Sequence, residues 1–276
     1  MSRNDAQQCT CPFYYPFTTL LLPFYYLFQL RYFIYLQYDG TSYHGWQTQP
    51  NCVTVQETIE QKLSLLLRRE LFIVGAGRTD TGVHARLMVA HFEIDREVDC
   101  EQLTFKLNGL LPPDIAILRI VPVTPDAHAR FSALSRTYRY YITTRKSPFD
   151  HLYTMRTYRT LDVELMNEAA SHLFDYIDFT SFAKLHTDVK TNNCRIMYAH
   201  WEQTADGFVF CIKADRFLRN MVRAIVGTLI DVGRGRLSVA QFCETIEKKD
   251  RCSAGDSVPA SGLFLEEIEY PKEIFL

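Results

Sequence analysis

The sequence has almost no net charge and lacks the spacings that mark common metal and nucleotide sites. Its 30 Lys and Arg residues nearly balance 32 Asp and Glu residues, for a formal net charge of −2 over 276 residues. Nucleic-acid-binding domains normally carry a basic excess, so the net charge alone argues weakly against such a partner. Hydrophobic residues make up 47% and charged residues 22%, which excludes a disordered, collagen-like or coiled-coil chain.

Short metal-binding, redox and phosphate-binding motifs are also absent. The eight cysteines form no C-x-x-C, which argues against a zinc ribbon or a thioredoxin-like site and favours free thiols. No H-E-x-x-H occurs, so His84, His91 and His128 are expected to be surface or hydrogen-bonded core residues. Neither G-x-G-x-x-G nor G-K-[ST] occurs, so a nucleotide-phosphate cradle has little support.

The amino-terminal segment is unusual because residues 12–30, PFYYPFTTLLLPFYYLFQL, contain no charged side chain. Such a run must be considered as a membrane span. It is interrupted by Pro12, Pro16 and Pro23, and an interior proline breaks a helical turn. No small-x-small cleavage site follows it, so a signal peptide has little support. We interpret residues 1–29 as an extension outside the fold, with a membrane anchor as the alternative.

Regular patterns begin at Leu30 and predict strands and helices in alternation. The length fits about two domains of roughly 150 residues each. A capping box at Thr54 and Glu57 predicts the start of a helix. Strands are predicted at 30–38, 71–74, 89–94 and 115–123, and a second helix at 103–111.

Pro122 and Pro125 mark the best boundary, which predicts domains at residues 30–124 and 125–276. Asp162 and Ser238 are expected to cap helices in the second half. Further strands are predicted at 136–143, 194–201, 207–214 and 263–268, and a long helix at 218–232 with Gly233 as its C-cap. Helices and antiparallel strands are mixed in both halves, so the predicted class is α+β.

The densest candidate site follows the predicted strand at 71–74. Residues 75–85, GAGRTDTGVHA, place three glycines, an arginine, an acid and a histidine together. One interpretation is a tight turn in which Asp80 bonds to its own backbone. Another is the triplet Asp80-Thr81-Gly82 of aspartic proteases, which need two aspartates sharing one proton. No second D-[ST]-G occurs, so a protease would require a symmetric dimer.

Two later clusters combine cations with aromatic rings. Residues 128–140, HARFSALSRTYRY, suit RNA, because cations contact phosphates while rings stack on unpaired bases. A solvated strand face with inward tyrosines is the alternative. The second cluster comprises Lys213, Arg216, Arg219 and Arg223. Its arginines are predicted to share one face near a helix start, where cations oppose the helix dipole. We therefore expect a carboxylate or phosphate opposite them.

Several blocks, in order from about Leu30 to Pro271, resemble the TruA family of tRNA pseudouridine synthases. They are YDGT (38–41) with HGWQ (44–47), GRTD-x-GVH (77–84), HARFS (128–132) with TYRY (137–140), DFTSF (178–182), NMVR-x-IVG (220–227) and PA-x-GL-x-L (259–265). The sequence looks like the bacterial single-module form that acts on the anticodon stem-loop. The resemblance implies the pseudouridine synthase fold, with two similar α+β halves, a mixed and mainly antiparallel sheet and a central RNA-binding cleft.

The resemblance also implies roles for five residues. Asp80 of GRTD would be the nucleophile, and Arg223 of NMVR would be its counter-ion. Tyr138 would stack on the uracil and assist a proton transfer. Arg78 and Arg130 would hold the RNA backbone and the extruded nucleotide.

The implied reaction is isomerisation of uridine to pseudouridine at positions 38, 39 and 40 of tRNA. An isomerisation needs no cofactor, metal ion or ATP. The implied partners are tRNA and a second copy of the chain in a homodimer, and the implied location is the cytoplasm rather than a membrane. Residues 1–29 have no counterpart in the family pattern. A non-catalytic RNA-binding protein on the same scaffold and a DTG-type aspartic protease remain the alternatives.

Overall fold

The computed structural model describes residues 29–184 and 191–276. The predicted extension, residues 1–29, lies outside this part apart from its last residue, and its two cysteines lie outside with it. The other six cysteines are free thiols, as their spacing predicts, and only Cys252 among them is exposed. No helix within the described ranges is long and apolar enough to cross a membrane.

In the first half, helices begin where the sequence supplies a side-chain cap. The Thr54 side chain accepts a hydrogen bond from the Glu57 N–H at 3.4 Å, and Asp99 accepts one from the Gln102 N–H at 2.9 Å. Each bond satisfies an N–H that the first helical turn leaves without a partner. The elements are β1 (Leu30–Tyr38), α1 (Val55–Leu67), β2 (Val74–Gly75), β3 (His84–Ile94), α2 (Cys100–Leu110) and β4 (Ile115–Val123).

The second half uses the same signals. Asp162 caps its first helix, and Ser238 forms a reciprocal capping box with Gln241 at its last. Its second helix is apolar around nearly its whole circumference and is buried accordingly. The elements are β5 (Ser135–Thr143), β6 (Met155–Arg156), α3 (Val163–Ser171), β7 (Ile196–Thr204), β8 (Gly207–Ala214), α4 (Met221–Gly233), α5 (Val239–Glu247) and β9 (Leu263–Glu269).

The strands of both halves form one sheet in the order β4-β1-β3-β9-β5-β8-β7, with β2 beside β3 and β6 beside β5. Along the main order every pairing is antiparallel except the short parallel contact between β3 and β9. The predicted α+β class with a mixed, mainly antiparallel sheet is confirmed. The carboxyl-terminal strand β9 lies between β3 of the first half and β5 of the second.

Two hydrophobic clusters form the core. The first packs α1 and α2 on the β1–β3 region and buries Phe33, Ile59 and Leu107 completely. The second packs α3, α4 and α5 on the β5–β8 region and buries Phe210 completely. Tyr138 on β5 packs against both clusters. The domain boundary at 124/125 stays a prediction.

The long helix α4 begins three residues later than predicted. Asn220 has a φ of 66°, so the right-handed helix cannot extend back through it to Leu218. Gly233 is the last residue of α4 rather than its C-cap, which is Arg234. A Cβ on Gly233 would lie 2.6 Å from the Met166 sulfur. The glycine therefore serves close packing of α4 on α3.

The strand predictions need smaller corrections. Of the segment predicted as a buried strand at 71–74, only Val74 pairs with a neighbouring strand, and the pairing continues to Gly75. Leu71 and Ile73 are buried there, whereas Phe72 and Val74 are exposed, because the segment lies at the sheet edge with one face in solvent. Strand β3 begins five residues earlier than the predicted 89–94, and β7 begins two residues later and ends three residues later than the predicted 194–201. Helix α2 begins at Cys100 instead of at residue 103.

Candidate active site

Asp80 lies in the loop between β2 and β3, in the tight turn that its glycines predict. Its backbone carbonyl accepts a hydrogen bond from the Val83 N–H at 3.1 Å. Gly82 has a φ of 76°, a conformation that glycine adopts without steric cost. The Asp80 carboxylate faces two arginines of the second half, Arg219 and Arg223, rather than its own backbone.

Thr79, the residue before Asp80, is held by hydrogen bonds through both its carbonyl and its hydroxyl group. The Trp46 N–H donates a hydrogen bond to the Thr79 carbonyl at 3.3 Å, and the Tyr38 and Thr79 hydroxyls are 2.8 Å apart. A Cβ on Gly45 would lie 2.4 Å from the same carbonyl, so only glycine permits this approach. These contacts fix the backbone from which the Asp80 side chain projects.

Arg223 meets the carboxylate from the first turn of α4, and Arg219 meets it from the connection just before that helix. Arg223 Nη1 lies 3.3 Å from Asp80 Oδ2, and Arg219 Nε lies 3.8 Å from Oδ1. Arg223 also donates from Nε to the Val258 carbonyl at 2.8 Å, which fixes its guanidinium. About a fifth to a quarter of the Arg223 and Asp80 side chains is exposed, against 55% for Arg219.

The expected anion opposite the arginine cluster is therefore present, and it is a carboxylate of this chain. The shared helical face is a wrong prediction, because Arg216 and Arg219 precede α4. They lie in the connection from β8, which turns at Asn220. The Asn220 side chain donates to the Ser257 hydroxyl at 2.6 Å and so anchors that turn.

Tyr138 lies beside this ion pair at the junction of the two cores. Its ring makes an edge contact with Phe217 at a centroid distance of 5.1 Å. Burial raises the pKa of the Tyr138 hydroxyl to about 12; the Arg136 charge lowers it and the Asp80 charge raises it. The hydroxyl is therefore protonated at neutral pH and can donate a hydrogen bond.

Arg136, two positions before Tyr138 on β5, ties three loops together. Its guanidinium donates to the carbonyls of Ala76 at 3.1 Å, Asp215 at 2.7 Å and Ala133 at 3.2 Å, and also to that of Arg130. Ala76 lies in the Asp80 loop, and Asp215 begins the connection that carries Arg219. One side chain thus links both sides of the ion pair.

The remaining predicted cations differ in their surroundings. Arg78 and Arg130 are both exposed, as residues that bind an external anion must be. Lys213 instead places its ammonium 2.7 Å from a Glu269 carboxylate oxygen, and hydrogen bonds from Lys213 and Ser135 hold the pKa of Glu269 below its ordinary value. The predicted cationic cluster therefore loses one member to an internal ion pair.

The three histidines are core residues or are hydrogen-bonded, as predicted. The Nδ1 atoms of His84, His91 and His128 accept backbone N–H groups at 3.1, 3.2 and 3.0 Å respectively. Burial lowers the pKa of each imidazole, that of His91 to about 4. No three His, Cys, Asp or Glu side chains in residues 29–184 and 191–276 are grouped so that they could hold a metal ion.

The structure brings Asp80, Tyr138 and Arg223 together from three separate blocks of sequence. Sequence reasoning missed the linking role of Arg136 and the support that Tyr38 gives to Thr79. Arg136 is a basic residue in a strand of alternating pattern, and nothing in that pattern indicates that its guanidinium donates hydrogen bonds only to backbone carbonyls. Tyr38 was identified only as part of the YDGT block.

Comparison with known proteins gives one family. The family model described as tRNA pseudouridine synthase matches residues 34–132 and 169–271. The tRNA pseudouridine synthase A of Parabacteroides distasonis is 61% identical over 246 residues, which cover 89% of this chain and 98% of the relative. That of Bacteroides thetaiotaomicron is 60% identical over 248 residues, covering 89% and 92%.

A more distant relative agrees. The tRNA pseudouridine synthase A of Bacillus subtilis is 40% identical over 239 residues, covering 85% of this chain and 97% of the relative. Asp80 and Arg223 form an ion pair in the structure, and the roles that the resemblance implies for them and for Tyr138 stay predictions. The chain belongs to the TruA family of tRNA pseudouridine synthases.

Proposed function

We propose that the chain isomerises uridine to pseudouridine in tRNA, at positions 38, 39 and 40 of the anticodon stem-loop, with Asp80 as the nucleophile. The observation that carries the proposal is the Asp80 carboxylate paired with Arg223 at 3.3 Å beside the Tyr138 ring. A pure binding surface for phosphates has no use for a carboxylate held at its centre.

The chemistry is balanced within the nucleotide. The bond between C1′ of the ribose and N1 of the uracil breaks, the freed base turns, and a bond from C1′ to C5 forms. The proton on C5 is lost and N1 gains one, so no group is added or removed. A carboxylate suits this sequence because it can attack the sugar–base system and then leave again.

Arg223 supports this role by holding the carboxylate in place. Its bond to the Val258 carbonyl leaves Nη1 directed at Asp80. In a site that excludes water, a fixed cation beside a nucleophile substitutes for solvation without reorganising during the reaction. Arg219 adds a weaker, more exposed contact with the other carboxylate oxygen.

Tyr138 supplies a flat ring and a protonated hydroxyl next to Asp80. We propose that the ring stacks on the extruded uracil and that the protonated hydroxyl assists a proton transfer as a hydrogen-bond donor. Extrusion of a base costs a few kcal/mol, least where pairing is weak, as at the end of an anticodon stem. The exposed Arg78 and Arg130 would hold the RNA backbone around the extruded nucleotide.

The proposal includes a homodimer and a cytoplasmic enzyme without a cofactor, as the family resemblance implies. Light scattering on the purified full chain tests the dimer. A mass near twice that of one chain at micromolar concentration is the expected result, and the mass of a single chain would overturn it.

The activity is tested by release of tritium from tRNA that carries [5-³H]uridine. Wild type should release tritium, and Asp80→Asn should release none while still binding tRNA. Asp206→Asn is the matched control, because Asp206 is an exposed aspartate that pairs with Arg145 away from the site. Normal release by Asp80→Asn would remove Asp80 from the nucleophile role. Binding by the wild type without any release would indicate a non-catalytic RNA-binding protein.

A further inference from the structure

A large aromatic side chain is left in solvent near the Asp80 loop. Phe131, in the loop before β5, is 76% exposed. A ring of this size in water forgoes the stabilisation that burial of a phenylalanine provides. The residue follows Arg130, whose guanidinium lies 5.5 Å from the centre of the Phe131 ring. The pair therefore presents an exposed aromatic ring together with a cation placed over it.

The Phe131 ring is held in place by a series of edge and tilted ring contacts that begins in the core. The rings of buried His91 and of His128 lie 4.6 Å apart, and those of His128 and Phe131 lie 4.4 Å apart. The N–H groups of Arg130 and Phe131 both donate to His128 Nδ1, at 3.0 and 3.3 Å. The exposed ring is therefore fixed before any ligand arrives, which reduces the entropy lost on binding.

The loop is also fixed relative to the candidate active site. The Arg136 guanidinium bonds to the Arg130 carbonyl and to the Ala76 carbonyl at once. Ala76 belongs to the loop that carries Asp80, and Arg136 is two positions from Tyr138 on β5. Phe131 thus lies beside the loop whose carboxylate would meet the substrate.

A single flat ring flanked by a cation fits a nucleotide in single-stranded or extruded form. Every base has a π-face that stacks on an aromatic ring, and the adjoining phosphate meets the cation. We propose that Phe131 is a base-stacking contact for the tRNA substrate, outside the Asp80–Tyr138–Arg223 site. The proposal rests on tRNA being the substrate, and it assigns a residue that binds RNA without taking part in the bond changes.

The test compares Phe131→Ala with Phe131→Trp and with Phe105→Ala. Base–aromatic stacking contributes about 1–3 kcal/mol per base, so Phe131→Ala should weaken tRNA binding and raise KM by about 5- to 150-fold. The effect on kcat should be smaller, and Phe131→Trp should restore affinity. Phe105 on α2 is the matched control, because it is 81% exposed and does not belong to the series of histidine ring contacts.

Salt dependence separates stacking from displacement of the loop. Phe131→Ala should leave the slope of log K against log[salt] unchanged, because no charge is removed. Arg130→Gln should reduce that slope by about 0.7–0.9, the value of one phosphate contact. A change in slope for Phe131→Ala would mean that the loop had moved and would overturn the proposal.

The experiments distinguish failure of the Phe131 stacking proposal from failure of the proposed catalytic activity. If Phe131→Ala binds tRNA within twofold of Phe105→Ala, Phe131 makes no stacking contact, whatever the tritium assay shows. If the wild type binds tRNA but releases no tritium, catalysis fails while the binding comparison still decides the role of Phe131. The urea midpoint of Phe131→Ala should match that of the wild type, because the ring is already in solvent.

Discussion

Replacing Gly45 with alanine should displace the backbone that carries Asp80. Gly45 has a φ of 88°, and a Cβ added there would lie 2.4 Å from the Thr79 carbonyl oxygen. The left-handed backbone alone costs an alanine about 1–2 kcal/mol. Relief of the overlap requires a backbone shift at Thr79, since a main-chain oxygen cannot rotate away as a side chain can.

Overpacking of this kind typically costs about 1–3 kcal/mol, so the two terms together predict a loss of about 2–5 kcal/mol of unfolding free energy. A whole domain is stable by only about 5–15 kcal/mol. The variant should therefore unfold at clearly lower urea concentration. Misplacement of a reacting group by about 1 Å can cost on the order of 100-fold in rate, so kcat should fall by a similar factor.

The measurements are urea unfolding followed by circular dichroism, and tritium release under conditions where the variant is folded. Gly109→Ala is the control, because Gly109 lies in α2 and no described heavy atom is within 4 Å of its Cβ position. It should gain about 0.5–1 kcal/mol as a helical alanine and keep its activity. Wild-type stability and activity in Gly45→Ala would refute the reasoning, since the close approach would then not constrain Asp80.

Three further predictions use other contacts. Arg223→Gln should lower kcat/KM by about 10- to 150-fold, the equivalent of one charge-assisted hydrogen bond. Arg219→Gln should lower it by at most about fivefold, as for an exposed pair; equal effects of the two changes would contradict the closer contact that Arg223 makes with Asp80. Arg136→Met should lower the unfolding free energy, measured in urea, by about 2–4 kcal/mol because four carbonyls lose a charged donor. Arg136→Lys should recover part of this loss, and Arg139→Met, on the exposed face of β5, should cause none. His91 has a pKa of about 4 in the fold against an ordinary 6.5, so it stabilises the fold above pH 6.5 and this contribution is lost as the pH falls towards 4. Between pH 7.5 and 5, the titration of His91 should lower the unfolding free energy by about 2 kcal/mol. His91→Asn has no imidazole to titrate, so its unfolding free energy, measured in urea at the two pH values, should fall by about 2 kcal/mol less than that of the wild type.

The α+β class and most elements followed from local signals in the sequence. Capping residues such as Thr54 and Ser238 act within a few positions, so their effect can be predicted without the fold. The start of α4 could not be predicted in this way. Asn220 takes a left-handed conformation because its side chain bonds to Ser257, which is distant in sequence.

The site residues likewise differ in whether local sequence or contacts between distant residues determine their role. Asp80, Tyr138 and Arg223 each stood out within a recognisable block. Proximity in sequence groups Lys213 with the arginines, because the sequence does not show which residues are its neighbours in space. Its partner Glu269 lies on the last strand, and sheet pairing alone brings the two together. The loop-linking role of Arg136 depends on carbonyl positions, which every residue possesses and no sequence pattern reveals.

The position of β9 has a consequence for how the chain acquires its activity. This strand pairs with β3 and β5, yet it leaves the ribosome after all the other described strands. Until it arrives, the two halves expose facing strand edges, which are prone to pair with other chains. Contacts between residues so far apart in sequence also form slowly. A nascent chain halted before Leu263 would hold every residue of the Asp80–Tyr138–Arg223 site and lack the strand between the two halves that present them.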